Sequence, residues 1–261
     1  MIDIHTHILP GLDDGAANEE DALRLAHAAV AEGITTIIAT PHHANGVYTN
    51  IAHEVTEHVF RVNESIKAAG MPVEIKPGQE IRVHDDLIEA WFREELLTLA
   101  GSRYILLEMP SSRIPKKMDE LIHELQIMDL KPIIAHPERN AEIVRDPGKL
   151  TEWVEKGIYA QVTSHSLLGG FGKNIERTAW TLCRSGLIHF VSSDAHHPER
   201  RGFRLREAYS AVRERMGEQW ENYFLDNAAC AAGDGIIGSK PAIDPSSEGV
   251  WRRLKSYFYG R

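Results

Sequence analysis

The chain opens Met1-Ile2-Asp3-Ile4-His5-Thr6-His7-Ile8-Leu9-Pro10-Gly11. The β-rich start, closed by two histidines and a turn, reads as a first strand with a polar end. It excludes one large class at once. A dinucleotide fold carries a glycine-rich G-x-G-x-x-G turn after its first strand, and His5 to Gly11 holds no such fingerprint. Working outward from this first run (2–5), further β-rich runs fall at 34–40, 73–80, 104–109, 132–136, 158–163 and 188–193. Amphipathic segments separate them. Asn18 suits an N-cap, with Glu19, Glu20 and Asp21 in the first turn and Gly33 as the stop. Val55, Val59, Val62, Ile66 and Ala69 recur at helical spacing before Gly70. Leu205, Ala208, Tyr209, Val212 and Met216 do the same before Gly217. Seven strand–helix units imply an α/β fold with parallel strands and crossover helices. We expect a seven-stranded, TIM-like (β/α)7 barrel rather than an open doubly wound sheet. In such barrels the chemistry sits at the C-terminal ends of the strands.

Composition narrows the classes further. The 261 residues carry 29 Lys+Arg against 38 Asp+Glu, a formal charge of -9, which disfavours a general nucleic-acid binder. A hydrophobic fraction of 43% argues for a folded core. No apolar run reaches the ~18 residues of a membrane span. Met1 to His5 has neither a basic nor a long apolar region, so no signal peptide is expected. Two cysteines, Cys183 and Cys230, make no disulfide framework and point to a reducing cytoplasm. The unusual count is 14 histidines.

The strand ends explain part of that count. They read His5-Thr6-His7, Thr40-Pro41-His42, Gly78-Gln79-Glu80, Leu106-Leu107-Glu108, Ile134-Ala135-His136 and Ser193-Asp194-Ala195-His196. The sixth run, ending Thr163-Ser164-His165, delivers a less acidic set. One histidine at a strand end is ordinarily a hydrogen-bonded core residue. Two such pairs, His5-x-His7 and Asp194-x-His196, coincide here with four other strand ends, which argues for a metal centre. Imidazole with carboxylate suits Zn, Mn or Fe, and no cysteine lies near enough for a thiolate site.

These ordered motifs resemble the PHP (polymerase and histidinol phosphatase) superfamily. Within it the chain is similar to the bacterial capsule and exopolysaccharide tyrosine phosphatases of the CpsB/YwqE type. The start at Met1, Leu12-Asp13-Asp14-Gly15, Ala135-His136-Pro137-Glu138-Arg139 and Ser193-Asp194-Ala195-His196 carry that resemblance, from Met1 to about Gly235. It implies a distorted barrel, the PHP fold, with three divalent ions, commonly manganese, with iron or zinc as alternatives. By position, His5, His7, Glu80 and Asp194 would hold one ion. Glu80, Glu108 and His136 would hold the second, with Glu80 bridging, and Asp14, His42 and His196 the third. Asp13 adjoins Asp14, and the family pattern favours the second. Arg139 and Arg201 match positions that grip the phosphate.

The implied activity is hydrolysis of phosphotyrosine on a bacterial tyrosine kinase that controls polysaccharide export. Another PHP phosphoesterase, acting on histidinol phosphate or a small phosphoester, is the alternative. An amidohydrolase is disfavoured, because the fourth run ends in Glu108 where that class needs a carboxylated lysine. A cysteine-based phosphatase is excluded: the residues six after Cys183 and Cys230 are His189 and Ile236, not arginine. Arg113, Lys116 and Lys117 follow the fourth run and could steer a phosphopeptide. Residues 1–238 read as one catalytic domain and 239–261 as a tail. The stretch Trp251-Arg252-Arg253-Leu254-Lys255-Ser256-Tyr257-Phe258-Tyr259 is basic and aromatic, suited to peripheral membrane contact.

Overall fold

Each of the seven β-rich runs forms a strand in the computed structural model, which describes residues 1–242. Two of the runs are extended by a second short strand beyond a break. The strands are β1 (Ile2–Thr6), β2 (Thr36–Ala39), β3 (His42–His43), β4 (Glu74–Pro77) and β5 (Glu80–Arg82), then β6 (Tyr104–Glu108), β7 (Lys131–Ala135), β8 (Tyr159–Thr163) and β9 (Phe190–Ser192). All their ladders are parallel. They build a three-stranded sheet, β1-β2-β4, and a six-stranded sheet, β3-β5-β6-β7-β8-β9. The expected single ring of seven strands is therefore not present as one closed ladder among the described residues. The ladder is cut where Thr40-Pro41 separates β2 from β3, since proline has no N–H to offer. It is cut again at Gly78-Gln79, between β4 and β5. A Cβ on Gly78 would lie 2.8 Å from Ile38 Cγ2, so only glycine lets the chain pass there.

The helices are α1 (Glu19–Glu32), α2 (Ala52–Ala68), α3 (Leu87–Phe92), α4 (Met118–Ile127) and α5 (Ala141–Arg145), followed by α6 (Gly148–Glu155), α7 (Ser164–Leu167), α8 (Lys173–Arg184), α9 (Leu205–Met216) and α10 (Glu218–Ala232). The cap signals act as their chemistry dictates. Asn18 Oδ1 accepts from Asp21 N at 3.0 Å, and Gly33 ends α1 at φ 80°. Among the described residues no helix is long and apolar enough to cross a membrane. Residues 243–261, with the basic-aromatic stretch, lie outside the described residues.

Strand alternation divides the core in two. Ile37, Ile105, Leu107, Ile134, Val162 and Val191 pack outward against helix residues such as Leu25, Val59, Trp153 and Phe224. On the opposite face, Ile4, Ile38, Tyr104, Leu106, Ile133 and Phe190 form a smaller cluster with Leu99 and Ala228. Fully burying one such side chain stabilises the fold by about 1.5–3 kcal/mol. The second face changes character along the strands. Tyr104 and Leu106 lead to Glu108, Tyr159 to Gln161 and Thr163, and Phe190 to Ser192 and Asp194. Apolar residues thus make a floor, and polar residues of the same parity make a ceiling at the C-terminal ends.

Candidate metal centre

His5 and His7 reach this ceiling through a local irregularity. Ile4 belongs to the floor, so a regular strand would turn His5 and His7 to the other face. The β1–β2 register shifts between Asp3 and Thr6, and such a shift re-aims the side chains beyond it. Beneath them, buried Asp3 stitches β1 to the end of β9. Its Oδ1 accepts from His5 N at 3.3 Å and Ser193 N at 3.1 Å. Burial pushes this carboxyl up to about 6.

Each histidine has its proton placed by a partner. His5 Nδ1 lies 3.1 Å from Gln161 Oε1, and Gln161 is oriented because its Nε2 donates to Val162 O at 2.9 Å. His7 Nδ1 lies 2.6 Å from Asp13 Oδ2. An acceptor opposite Nδ1 puts the proton there and leaves a bare lone pair on Nε2. Those two Nε2 atoms face each other at 3.3 Å. Glu80 Oε2 lies 3.3 Å from both, and Asp194 Oδ1 lies 3.4 and 3.2 Å from His5 and His7. The two imidazole acceptors thus face a carboxylate oxygen of Glu80 and one of Asp194. These contacts are longer than the ~2.7–2.9 Å of a charge-assisted hydrogen bond. Ligand atoms about 2.0–2.1 Å from a shared ion stand apart by such distances. The donor set fits a divalent cation.

The electrostatics carry the same demand for positive charge. Burial alone would lower the His5 pKa, but Glu80 and Asp194 more than offset it and raise it. Burial also opposes a proton on His7, yet Asp13 holds its pKa well above the ordinary imidazole value. Satisfying the acids with protons would set two imidazolium rings side by side. A metal ion supplies the charge without that repulsion.

Glu80 sits at the centre. Its Oε1 lies 2.8 Å from His136 Nε2, and its Oε2 lies 2.9 Å from His42 Nδ1. The second contact is out of line for a hydrogen bond, so Glu80 Oε2 and His42 Nδ1 are buried without partners. His42, Glu80 and Glu108 form one potential ligand group; His136 groups with His5 and Asp194. Glu108 is fixed by Arg82, whose Nε and Nη2 lie 3.0 and 2.9 Å from its Oε2. Burial and the neighbouring Glu80 push the Glu108 carboxyl up. A further group joins His7, Asp14, His42 and His196. Asp14 Oδ1 is 3.5 Å from His42 Nε2 and 3.4 Å from His196 Nε2. His196 Nδ1 is taken by Asp194 O at 2.9 Å, and its Nε2 is buried without a partner.

The two adjacent aspartates are divided by their loop. Asp13 is consumed: its Oδ1 accepts from Gly15 N at 2.9 Å, and its Oδ2 from His42 N at 3.0 Å as well as facing His7. Asp14 is half exposed and points to the imidazoles. Glycine at 15 is required, since a Cβ there would lie 2.0 Å from His7 O. The backbone is bent twice more at the ceiling. His136 and Asp194 have φ of 31° and 55°, conformations that cost a non-glycine residue about 1–3 kcal/mol.

Arg139 and Arg201 converge on Asp194. Arg139 Nη1 lies 2.7 Å from Asp194 Oδ2, its Nη2 donates to Thr163 Oγ1 at 2.9 Å, and Arg201 Nη2 meets the same Oδ2. Burial would raise the Asp194 pKa, but His5 and the two arginines hold it well below the usual carboxylate range. The Nε of each arginine is buried without a partner. Near the rim, the Tyr48 ring lies parallel to His42, 7° from coplanar at 6.3 Å. Lys116 and Lys117 line a groove of about 530 Å³ with Val83, Ile88 and Leu121.

The profile of the family described as "Capsular polysaccharide synthesis, CpsB/CapC" matches residues 1–231. The chain belongs to this family. The tyrosine-protein phosphatase YwqE of Bacillus subtilis is 42% identical over 228 residues, covering 87% of this chain and 90% of that protein. The tyrosine-protein phosphatase CpsB of Streptococcus pneumoniae is 27% identical over 233 residues, 87% of this chain and 96% of its own. A chain from the crystal structures of those two proteins, described as metal-dependent tyrosine phosphatases, superposes with a TM-score of 0.89. It has 41% identity and covers 92% of this chain and 98% of its own.

Several residues at the centre escaped the reading of strand ends. Gln161 has the inward parity of a run already assigned to a strand, two residues before the quoted strand end Thr163, and that parity was its only signal. Asp3 lay inside the first run rather than at its end. Phe171, whose ring faces Arg139 and Arg201, sits in a glycine-rich turn with no pattern of its own.

Proposed function

We propose that this chain is a metal-dependent protein-tyrosine phosphatase that holds three divalent ions, manganese first among them, with iron or zinc as alternatives. The observation that carries the reading is the approach of His5 Nε2 and His7 Nε2 to each other, to Glu80 Oε2 and to Asp194 Oδ1, at 3.2–3.4 Å. These four would hold one ion. Glu80, Glu108 and His136 would hold a second, and Asp14, His42 and His196 a third. Close approach of His42 to Glu80 makes it a further candidate at the second. When bound, such ions supply Lewis-acid stabilisation of phosphoryl oxygens and lower the pKa of a water to about 7.

The chain's own residues supply the rest. Arg139 and Arg201 bind phosphoryl oxygens, and planar guanidinium suits that contact. Asp13 and Gln161 keep His7 and His5 in the tautomer that offers Nε2. Arg82 holds Glu108 in place. Tyr48, parallel to His42, offers a face to an aromatic leaving group. The names of the relatives support phosphotyrosine as the substrate and capsular polysaccharide synthesis as the setting. The natural partner on this reading is the phosphotyrosine tail of a bacterial tyrosine kinase, met in the cytoplasm, where free Cys183 and Cys230 are at home.

The same reading joins the two sheets. Asp194 N donates to His5 O at 2.9 Å and His7 N to Ala195 O at 2.8 Å, linking the end of β9 to β1. With β2–β3 and β4–β5 each taken as one interrupted strand, the architecture is a distorted seven-stranded TIM-like barrel. Residues 1–238 would form this catalytic domain, with 239–261 as a tail for peripheral membrane contact.

The test compares a phosphotyrosine peptide with histidinol phosphate on manganese-loaded protein, with metal content read by mass spectrometry. We expect the peptide to be hydrolysed, and preferred by at least about tenfold in kcat/KM, a 1.4 kcal/mol difference in transition-state binding. The reverse preference would reassign the substrate. No hydrolysis of either would end the proposal.

A further inference from the structure

Asp194 does not hold the two arginines alone. The guanidinium carbon of Arg139 lies 4.3 Å from the centroid of the Phe171 ring, and that of Arg201 lies 5.7 Å from it. Phe171 is only partly buried. It projects from Gly169-Gly170-Phe171-Gly172, the turn between α7 and α8, where Gly169 and Gly172 have φ of 76° and 92°. A Cβ on Gly170 would lie 3.0 Å from His165 Nδ1 and 3.2 Å from His165 O, so the turn is pressed against α7. His165 Nε2 in turn meets Gly202 O at 2.9 Å, next to Arg201. The turn that carries the ring and the loop that carries Arg201 are therefore tied together.

The charges explain what a ring does here. Two guanidinium groups share one carboxylate oxygen, while the other oxygen of Asp194 faces His5 and His7. One carboxylate cannot neutralise both cations. An aromatic face attracts a cation through its quadrupole. It consumes none of the guanidinium N–H donors, which lie within that group's own plane. Arg139 Nε and Arg201 Nε are buried without partners, so neither is spent on the protein. We infer that Phe171 is a positioning residue. It fixes the planes of Arg139 and Arg201 so that their free N–H groups grip an oxyanion. The identity of that anion as a phosphoryl group rests on the phosphatase reading.

The experiment uses metal-loaded protein and inorganic phosphate as the probe, titrated by calorimetry. Phe171→Leu keeps an apolar side chain and removes the quadrupole. We expect phosphate affinity to fall by about 5- to 30-fold. KM for a phosphotyrosine peptide should rise in step, with metal content unchanged by mass spectrometry. Phe171→Tyr keeps an aromatic face and should stay within about threefold of wild type, as cation–π attraction is retained. Unchanged phosphate affinity in Phe171→Leu would overturn the inference. So would an equal loss in Phe171→Tyr, which would make the ring a space filler. Loss of metal in parallel with phosphate affinity would also overturn it, since the ring would then be supporting Asp194 alone. Wild-type protein that binds phosphate, weakened in Phe171→Leu, without hydrolysing the peptide would sink the substrate reading and leave the clamp standing.

Discussion

The floor and the ceiling of the inner sheet face are built on the same strands but held by different physics. At the floor, the Tyr104, Tyr159 and Phe190 rings meet with centroids 5.6, 6.4 and 6.1 Å apart, spacings typical of tilted and edge-on aromatic pairs. His189 meets Tyr159 edge-on at 5.0 Å. These contacts are complete within the chain. At the ceiling the ends of β1 and β9 and the start of β5 bring acceptors together at 3.2–3.4 Å, and protein atoms alone leave that cluster short of donors. Stability and chemistry are thus separated along a strand only about 17 Å long.

The largest effect should come from the ceiling. Exhaustive chelation is expected to cut phosphotyrosine turnover by at least about a thousandfold, the several kcal/mol that bound ions contribute to the transition state. Near-ultraviolet circular dichroism of the floor aromatics should persist. Turnover that survives chelation would mean the acceptor cluster needs no ion. The reverse break is Phe190→Ala, which should cost about 3–5 kcal/mol in denaturant titrations. The protein that stays folded should still bind its metals in wild-type proportion; selective metal loss would show that floor and ceiling are not separable.

A finer test separates ligand from orienter. Asp13→Asn is expected to weaken metal affinity or activity by about 10- to 100-fold, the usual effect of losing the group that orients a ligating histidine. No change would release Asp13 from that role. The smallest effect lies on the floor. Burial, with Lys240 adding to it, lowers the His189 pKa from an ordinary 6.5 to about 3. The unfolded chain then binds this proton near pH 6.5 and the folded chain only near 3, so stability falls as pH drops through that window. The contribution is at most about 1.4 kcal/mol per pH unit. His189→Gln should flatten the slope of stability against pH there, and an unchanged slope would place a different group on the floor.

Much of this arrangement is legible in the residues, because strand parity and cap chemistry act locally. The seven β-rich runs, the Asn18 cap and the Gly33 stop need only nearest neighbours in sequence. The breaks at Thr40-Pro41 and Gly78-Gln79 depend on what lies across the sheet, such as Ile38 against Gly78. The turn of His5 and His7 onto the inner face depends on a register shift between Asp3 and Thr6, which no pattern announces. Asp13 and Asp14 are adjacent and chemically alike. Only the path of their loop gives one to His7 and leaves the other to His42 and His196. The meeting of Arg139 and Arg201 at Asp194 joins two connecting segments distant in sequence, and Phe171 completes it from a third.

One stitch has a consequence for synthesis. Asp3 accepts from Ser193 N across 190 residues, and Asp194 is the next residue along. At roughly 5–20 residues per second, the histidine pair leaves the ribosome about 10–40 s before its carboxylate partner. A half-made chain shows His5-x-His7 without Asp194, Asp3 without its anchor, and no finished pocket. On the metal-centre reading, the site of His5, His7, Glu80 and Asp194 can close only after Asp194 has emerged, and products truncated before it should lack that site.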